Sequence, residues 1–334
     1  MIEKLKIRAS IGTAAVLGLE KILITVPPTT AYFMLYTEGH CLSNCSFCPQ
    51  AYSSLSKSNS LSRVLWPVYD LEQIITGLKK TARKSLKRIC IQTINFPGAR
   101  EQILSLLTEF RKSKISLPIS ICSFPVDRAF LSQMKEHGVT RIGIAFDCAT
   151  PTIFNLVKGI SRGPTLSWAL LEEALEDAID IFGNHFVSTH LIIGLGETEK
   201  EAVEFIQKFH DKGITIGLFA FTPVRGTALE HHPKPSLVSY RRVQLARFLI
   251  TKNLSSIQNM SFNAEEKIQT FGVEKKQLNE VIASGKPFLT SGCPHCNRPF
   301  YNESPGKPLY NFPRRPTESE LEEIRLMLYT DLKR

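Results

Sequence analysis

What most restricts the fold of this chain is a repeated alternation of short apolar runs with segments of helical period. Runs rich in branched and aromatic residues predict strands over residues 31–37, 86–93, 117–123, 140–146, 185–194 and 214–222. Apolar residues at helical spacing predict helices over residues 69–82, 100–112, 126–137, 166–182, 200–212 and 238–250. Repeats of about 35 residues of this kind imply parallel strands joined by right-handed crossovers. Their number points to an α/β barrel of the TIM type, complete or partial. Chemistry in such a barrel collects at the carboxyl ends of the strands.

The expected organisation is an N-terminal helical extension over 1–29, the barrel over 30–265, and a carboxyl-terminal extension over 266–334. Within that extension, residues 273–283 read as a helix and 285–316 as irregular chain rich in Pro, Gly and Asn. Thr317 then caps a last helix reaching about Leu332, with Glu320 three residues on completing a capping box. The apolar stretch 14–36 is interrupted by Glu20, Lys21, Pro27 and Pro28, so no membrane span is expected. No signal peptide is evident, and the expectation is a cytoplasmic enzyme. The net charge of +10 fits either a solvated basic surface or an acidic partner. Nucleic acid is not expected, because no compact Lys/Arg run with interleaved aromatics occurs.

Eight cysteines in a chain of 334 residues without a secretory signal point to metal rather than disulfides. Gly39-His-Cys-Leu-Ser-Asn-Cys-Ser-Phe-Cys-Pro-Gln50 follows the first strand and spaces Cys41, Cys45 and Cys48 as Cys-x3-Cys-x2-Cys. Three thiolates on one loop suit three irons of a [4Fe–4S] cubane and leave the fourth iron open to a small molecule. The competing reading is a zinc site completed by His40 or a distant cysteine.

The loop, with Phe47 just before its last cysteine, resembles that of the radical S-adenosylmethionine superfamily. The resemblance implies a radical SAM barrel, an open [4Fe–4S] cluster and S-adenosyl-L-methionine as cosubstrate. It also implies contacts for the cosubstrate. Strand two ends in Cys90-Ile-Gln-Thr-Ile-Asn95, where Gln92 or Thr93 stands at the place of the methionine contact. Strand four ends in Ala145-Phe-Asp147, and Asp147 stands where the family holds the ribose diol. Capping of a helix at Thr150-Pro151 is the other reading of Asp147. Strand five, His190-Leu-Ile-Ile-Gly-Leu-Gly-Glu-Thr198, offers Ile192 and Gly194 to adenine, with Glu197 ordering the loop or capping the next helix. Thr222 lies in Phe221-Thr-Pro-Val-Arg-Gly-Thr227, which resembles the family's adenine-side turn.

Within the superfamily, residues 30–265 are most similar to biotin synthase and its sulfur-inserting relatives. Cys90 and Cys122 match two cysteines of biotin synthase's second cluster. Ser188 stands where a third is expected, and no arginine occurs in 258–261, where that enzyme's arginine ligand is expected. The tail run Ser291-Gly-Cys-Pro-His-Cys-Asn-Arg-Pro-Phe-Tyr-Asn-Glu-Ser-Pro305, with Leu309-Tyr-Asn-Phe-Pro-Arg314, resembles the archaeal-type two-component lipoyl synthases. Ligand counting makes Cys293 and Cys296, together with Cys90 and Cys122, an auxiliary [4Fe–4S] site, with Ser188 or Cys148 as the substitute for one member. A lone strand cysteine is more often a small buried hydrophobe, and that reading stands beside the ligand one, above all for Cys148. Arg298, Arg314 and Arg315 either touch a carrier or face solvent.

The resemblance implies sulfur insertion into an octanoyl chain on a lipoyl domain or glycine-cleavage carrier protein, with a sacrificial auxiliary cluster. It also implies a second radical SAM lipoyl synthase subunit and an electron donor such as ferredoxin or flavodoxin. The alternatives are biotin synthase or another radical SAM sulfurtransferase, and, in a different class, a non-catalytic iron–sulfur accessory subunit.

Overall fold

The structure, a computed structural model, describes residues 5–81, 85–163, 166–303 and 307–332. Residue 82 of the expected helix 69–82, and Ser304 and Pro305 of the tail run, lie outside these. Six parallel strands form the body of one sheet: β1 (Thr30–Leu35), β2 (Arg88–Gln92), β3 (Ile119–Ser123), β4 (Val139–Ile144), β5 (Val187–Ile193) and β6 (Thr215–Ala220). They pair in chain order, with Gln92 opposite Cys122, Cys122 opposite Gly143, and Gly143 opposite Ser188. Helices Leu71–Thr81, Ala99–Lys112, Arg128–Glu136, Trp168–Phe182 and Glu199–Asp211 make the crossovers. This is an α/β fold with an open, mostly parallel sheet, a partial TIM barrel.

The period of two along each strand separates two environments. Ile89, Ile91, Ile121 and Ile142 are buried, at 0–1% exposure. The alternate positions Arg88, Cys90, Gln92, Ser120, Cys122, Ser188 and His190 share the other face, and all border one interior cavity. A polar lining enclosed by an apolar shell makes a site, because buried polar groups need partners or a ligand.

The first 29 residues differ from the expected helical extension. Among the described residues of this stretch only Ile11–Val16 is helical, and Lys6–Ala9 is a strand antiparallel to β1. It pairs in turn with Val68–Asp70, so Tyr69 and Asp70 extend the sheet and the helix begins at Leu71. Local sequence does not reveal this strand, since its partner Tyr69 lies 62 positions from Ile7. β1 stops at Leu35, where the Gln102 side chain takes over the backbone of Tyr36 with two bonds of 3.0 Å.

Among the described residues, β6 and Val68–Asp70 do not pair with each other, and the sheet stays open between them. The tail crosses this opening. On the β6 side, the Leu218 N–H donates to Ser291 Oγ at 2.8 Å and Asn302 Nδ2 donates to the Ala220 carbonyl at 2.9 Å. On the β1 side, Thr29 N–H donates to Asn297 Oδ1 at 3.0 Å and Ser62 Oγ to the Tyr301 carbonyl at 3.1 Å. Helix Leu237–Thr251 anchors the next stretch of tail. Gln244 Nε2 donates to the Tyr310 carbonyl and to Asn311 Oδ1, both at 3.0 Å, and Tyr240 Oη donates to Asn311 Oδ1 at 3.1 Å. The last helix, Glu318–Leu332, starts as expected: Glu320 N–H donates to Thr317 Oγ1 at 3.3 Å and Thr317 N–H to Glu320 Oε2 at 2.6 Å. No helix among the described residues is long and apolar enough to cross a membrane.

Candidate active site and four-cysteine cavity

The loop after β1 is held by its own backbone and by its neighbours. Cys41 N–H donates to the Gln50 carbonyl at 2.8 Å and Cys48 N–H to the Cys45 carbonyl at 3.0 Å. Ser46 N–H reaches the Val157 carbonyl at 2.7 Å, tying the loop to helix Pro151–Val157. Gln50 is fully enclosed and donates to the Ser58 and Ser60 carbonyls at 2.7 and 2.6 Å. Cys41 Sγ accepts from the backbone N–H of Asn95, beyond β2, at 3.2 Å.

Cys41, Cys45, Phe47 and Cys48 border a cavity of about 240 Å³ at the carboxyl ends of the strands. Burial pushes the Cys45 thiol up to about 12, against the opposing pull of Lys158. Burial, then the neighbouring Cys45, raises Cys48 as well. Gln92, Thr93, Asp147, Ile192 and Thr222 line the same cavity. Gly194 is not part of the lining. Its N–H donates to Glu197 Oε1 at 2.6 Å, and a Cβ there would meet Pro235 Cδ at 2.7 Å, so its place is in the turn after β5. Glu197 also accepts from Leu195 N–H at 3.0 Å and orders that turn, while Thr198 caps the helix.

Asp147 does not cap a helix, because Thr150 does, accepting from Ile153 N–H at 3.3 Å. The Asp147 carboxylate instead faces the cavity and pairs with Lys158 Nζ at 2.6 Å. Although burial opposes it, the Asp147 carboxylate and Cys45 hold the Lys158 ammonium above its ordinary range. Lys158 gave no sequence signal. It sits beyond the short helix Pro151–Val157, a segment the sequence reading did not assign.

The structure brings Cys90 and Cys122 from β2 and β3 to a second cavity, of about 60 Å³, and the tail brings Cys293 and Cys296 to the same one. Cys122 is pushed up to about 12 by burial, and burial followed by Cys293, Cys296 and Cys122 raises Cys90. Each sulfur faces its own polar group. Gln92 Nε2 donates to Cys90 Sγ at 3.1 Å, and Tyr32 Oη lies 3.4 Å from Cys296 Sγ. Ser120 Oγ lies 3.8 Å from Cys293 Sγ, and His190 Nδ1 4.0 Å from Cys122 Sγ. Burial lowers His190 to about 4, so its imidazole is neutral. Gln92 thus serves the second cavity as well as the first. Ser188 also lines the second cavity, donating to the Ile142 carbonyl at 3.3 Å, whereas Cys148 is fully buried and lines neither.

The two cavities share one wall: Gln92, Cys122, His190, Phe219 and Tyr301 border both. Tyr301 comes from the tail, and no periodicity in that segment marks it as interior. The segment 257–261 lies in a 3-10 turn and the start of a small hairpin, away from the sheet. A guanidinium nevertheless reaches the second cavity: Arg298 stacks 3.8 Å over the Phe219 ring.

The donors fit iron–sulfur chemistry. Among the described residues, no three His, Cys, Asp or Glu side chains converge closely enough for a single metal ion. Thiolates of a cubane each bind a different iron and need not meet at one point. His40 is not part of the lining of the first cavity.

The sequence family described as the Radical SAM superfamily matches residues 37–209. The biotin synthase of Hydrogenobaculum sp. (strain Y04AAS1) is 23% identical over 254 residues, 74% of this chain and 72% of that one. The biotin synthase of Gloeothece citriformis (strain PCC 7424) is 25% identical over 230 residues, and the match spans 65% of this chain and 59% of that one. The mitochondrial GTP 3',8-cyclase of Arabidopsis thaliana is 23% identical over 231 residues, 67% of this chain and half of its own length, at 50%. Among solved structures, the FeFe-hydrogenase maturase HydG from Carboxydothermus hydrogenoformans superposes with a TM-score of 0.51 at 16% identity, covering 73% of this chain and 56% of that one. Similarity at that level shows a shared fold. On the family match, the cysteine loop and the barrel together, the chain belongs to the radical SAM superfamily.

Proposed function

We propose that the chain is a sulfur-inserting radical SAM enzyme, a subunit of a two-component lipoyl synthase acting on a protein-bound octanoyl chain. The observation that carries this reading is the meeting of Cys293 and Cys296 of the tail with Cys90 and Cys122 of the barrel at one cavity. That cavity shares a wall with the one bordered by Cys41, Cys45 and Cys48.

Membership in the superfamily implies a [4Fe–4S] cluster and S-adenosyl-L-methionine, which would supply radical hydrogen abstraction when bound, and a second cluster on the four cysteines would supply sulfur. Cys41, Cys45 and Cys48 would hold the first. Asp147, oriented by Lys158, presents carboxylate oxygens suited to a vicinal diol. Phe219 and Tyr301 give the shared region an apolar wall that would exclude water, which protects reactive species from side reactions. The tail closes the barrel, so a substrate carbon seated at Tyr301 would lie between the two sets of cysteines.

The biotin synthase relatives favour a second reading, a different sulfur acceptor. Against it, Ser188 stands where that enzyme's third cysteine is expected, and the tail supplies a different pair. An octanoylated lipoyl domain or glycine-cleavage carrier protein, the paired radical subunit and a ferredoxin- or flavodoxin-type reductant are the partners this reading requires.

The test is the iron and sulfide content of anaerobically reconstituted protein, wild type against C293A/C296A. Two four-iron clusters require about eight irons in the wild type and about four in the variant. About four in both would leave one cluster and remove the sulfur-insertion reading. Incubation of the wild type with its partner subunit and an octanoylated lipoyl domain then separates lipoyl from biotin chemistry, by the mass of sulfur added to the domain.

A further inference from the structure

The four-cysteine cavity has a positive lining and no acid. Arg88 on β2 is 8% exposed. Its Nη1 donates to Ser120 Oγ at 2.9 Å and Thr140 Oγ1 at 3.2 Å, and its Nε has no partner. Arg141 on β4 is 7% exposed, and its Nη2 donates to Thr215 Oγ1 at 3.0 Å. It lies close enough to Arg88 for the two charges to repel. Arg298 enters with the tail, stacked on Phe219, its Nη2 donating to the Ser291 carbonyl at 2.7 Å. None of the three is ion-paired to a carboxylate among the described residues, and no Asp or Glu lines the cavity.

The buried guanidinium groups of Arg88 and Arg141, hydrogen-bonded to hydroxyls, are unfavourable unless an anion balances them, and the half-buried Arg298 adds a third positive charge. Neutral thiols do not supply that charge, and four thiolates around an iron–sulfur group do. We propose that Arg88 and Arg298 are positioning residues that compensate the negative charge of a cluster held by Cys90, Cys122, Cys293 and Cys296, and so set its reduction potential. The proposal rests on the four-cysteine reading above.

A hydrogen-bond chain carries the Arg88 charge to Cys293, and the Arg298 guanidinium acts on Cys296 through space. Arg88 donates to Ser120 Oγ, which leaves the Ser120 proton for Cys293 Sγ. The backbone N–H of Arg298 donates to Tyr32 Oη at 3.0 Å, which leaves the phenol proton for Cys296 Sγ. Both tail cysteines are thus approached by a hydroxyl that itself accepts a hydrogen bond, from the Arg88 guanidinium at Cys293 and from the Arg298 backbone amide at Cys296. Reduction adds one negative charge, so a fixed cation beside the cluster stabilises the reduced form more than the oxidised form. Net charge and hydrogen bonds to sulfur are the levers that tune such potentials.

The experiment is an anaerobic redox titration followed by electron paramagnetic resonance, in a C41A/C45A/C48A background that leaves only the second cluster. R88M and R298M are each expected to move the midpoint to a more negative potential, and R88K and R298K to recover most of the shift. Full iron occupancy in R88M and R298M with an unchanged midpoint would overturn the proposal. Loss of iron from R88M but not from R88K supports it, as the same charge requirement read through occupancy. If both lose iron, R298M decides alone. A background protein that binds no iron and shows no signal would instead mean that the four-cysteine reading has failed.

Discussion

Asp147 Oδ2 and Lys158 Nζ lie 2.6 Å apart, with side chains only 12% and 9% exposed, beside the loop that carries Cys45. Lys158 also donates to the Ala145 carbonyl, and Asp147 has a left-handed backbone with φ of 68°. One ammonium therefore fixes both the end of β4 and the carboxylate that faces the cavity.

Breaking such a pair on one side leaves an uncompensated buried charge, at a cost of about 3–5 kcal/mol. K158M is expected to destabilise the protein by that order. D147N keeps a side chain that tolerates the left-handed backbone, and D147N/K158M should cost less than the sum of the single changes. Urea unfolding of the four proteins in a double-mutant cycle measures this. Additive effects would show that the pair is solvent-screened.

The turn after β5 separates close approach from backbone strain. Gly194 and Gly196 have φ of 104° and 117°, but only Gly194 would drive a Cβ into Pro235, whereas Gly196 has open space. Both alanine variants carry backbone strain of about 1–3 kcal/mol. G194A should lose more, because the ring of Pro235 must also move. Thermal unfolding of the two variants gives the comparison, and equal losses would mean that Pro235 yields freely.

Much of this architecture was legible in local pattern. The six parallel strands and their crossover helices follow from period, and the cysteine loop from spacing. Ligand counting brought Cys293 and Cys296 to Cys90 and Cys122. What stayed hidden depends on contacts between distant segments. Lys6–Ala9 is a strand only because β1 and Val68–Asp70 flank it. Arg241, Arg242 and Gln244 look like the solvent face of helix Leu237–Thr251, yet all are buried, at 5% exposure or less. The tail covers Gln244, and Glu199 pairs with Arg242 at 2.9 Å. Lys158, His190 and Arg298 belong to the same class, since a charged or polar residue acquires a role only when the fold supplies its partner.

The tail should depend on Asn302. Its Nδ2 donates to the Ala220 carbonyl at 2.9 Å, and its own carbonyl accepts from Thr222 Oγ1 at 3.1 Å. N302A leaves a buried carbonyl without that donor, at a cost of about 1–3 kcal/mol. Hydrogen exchange is expected to quicken in residues 289–303 while β2 and β3 stay protected. Uniform quickening across the barrel would show that tail and barrel open as one unit.

The start of the last helix should respond to acid. Hydrogen bonds from Arg314, then from the Thr317 backbone, hold the Glu320 carboxyl down at about 2. A depressed folded value means that the stabilisation is fully present above the ordinary value of 4.5 and is lost as pH falls toward about 2. E320Q should therefore fray Glu318–Leu332 at neutral pH, and its difference from wild type should vanish near pH 2. Amide exchange of this helix against pH checks it. A difference that persists unchanged in acid would show that the carboxylate charge is not what holds the cap.

The net charge of +10 bears on the proposed carrier. If an acidic lipoyl domain or carrier protein delivers the octanoyl chain, charge attraction should chiefly speed encounter. Salt screens such attraction over a Debye length of about 10 Å at 0.1 M. Association should then slow steeply between low and moderate salt, with dissociation far less affected, because close contacts at the docked face are screened less. Surface plasmon resonance with an octanoylated lipoyl domain at several ionic strengths measures both rates. An association rate independent of salt would remove the acidic-partner argument, and the basic surface would then be a solvated face with no part in recognition.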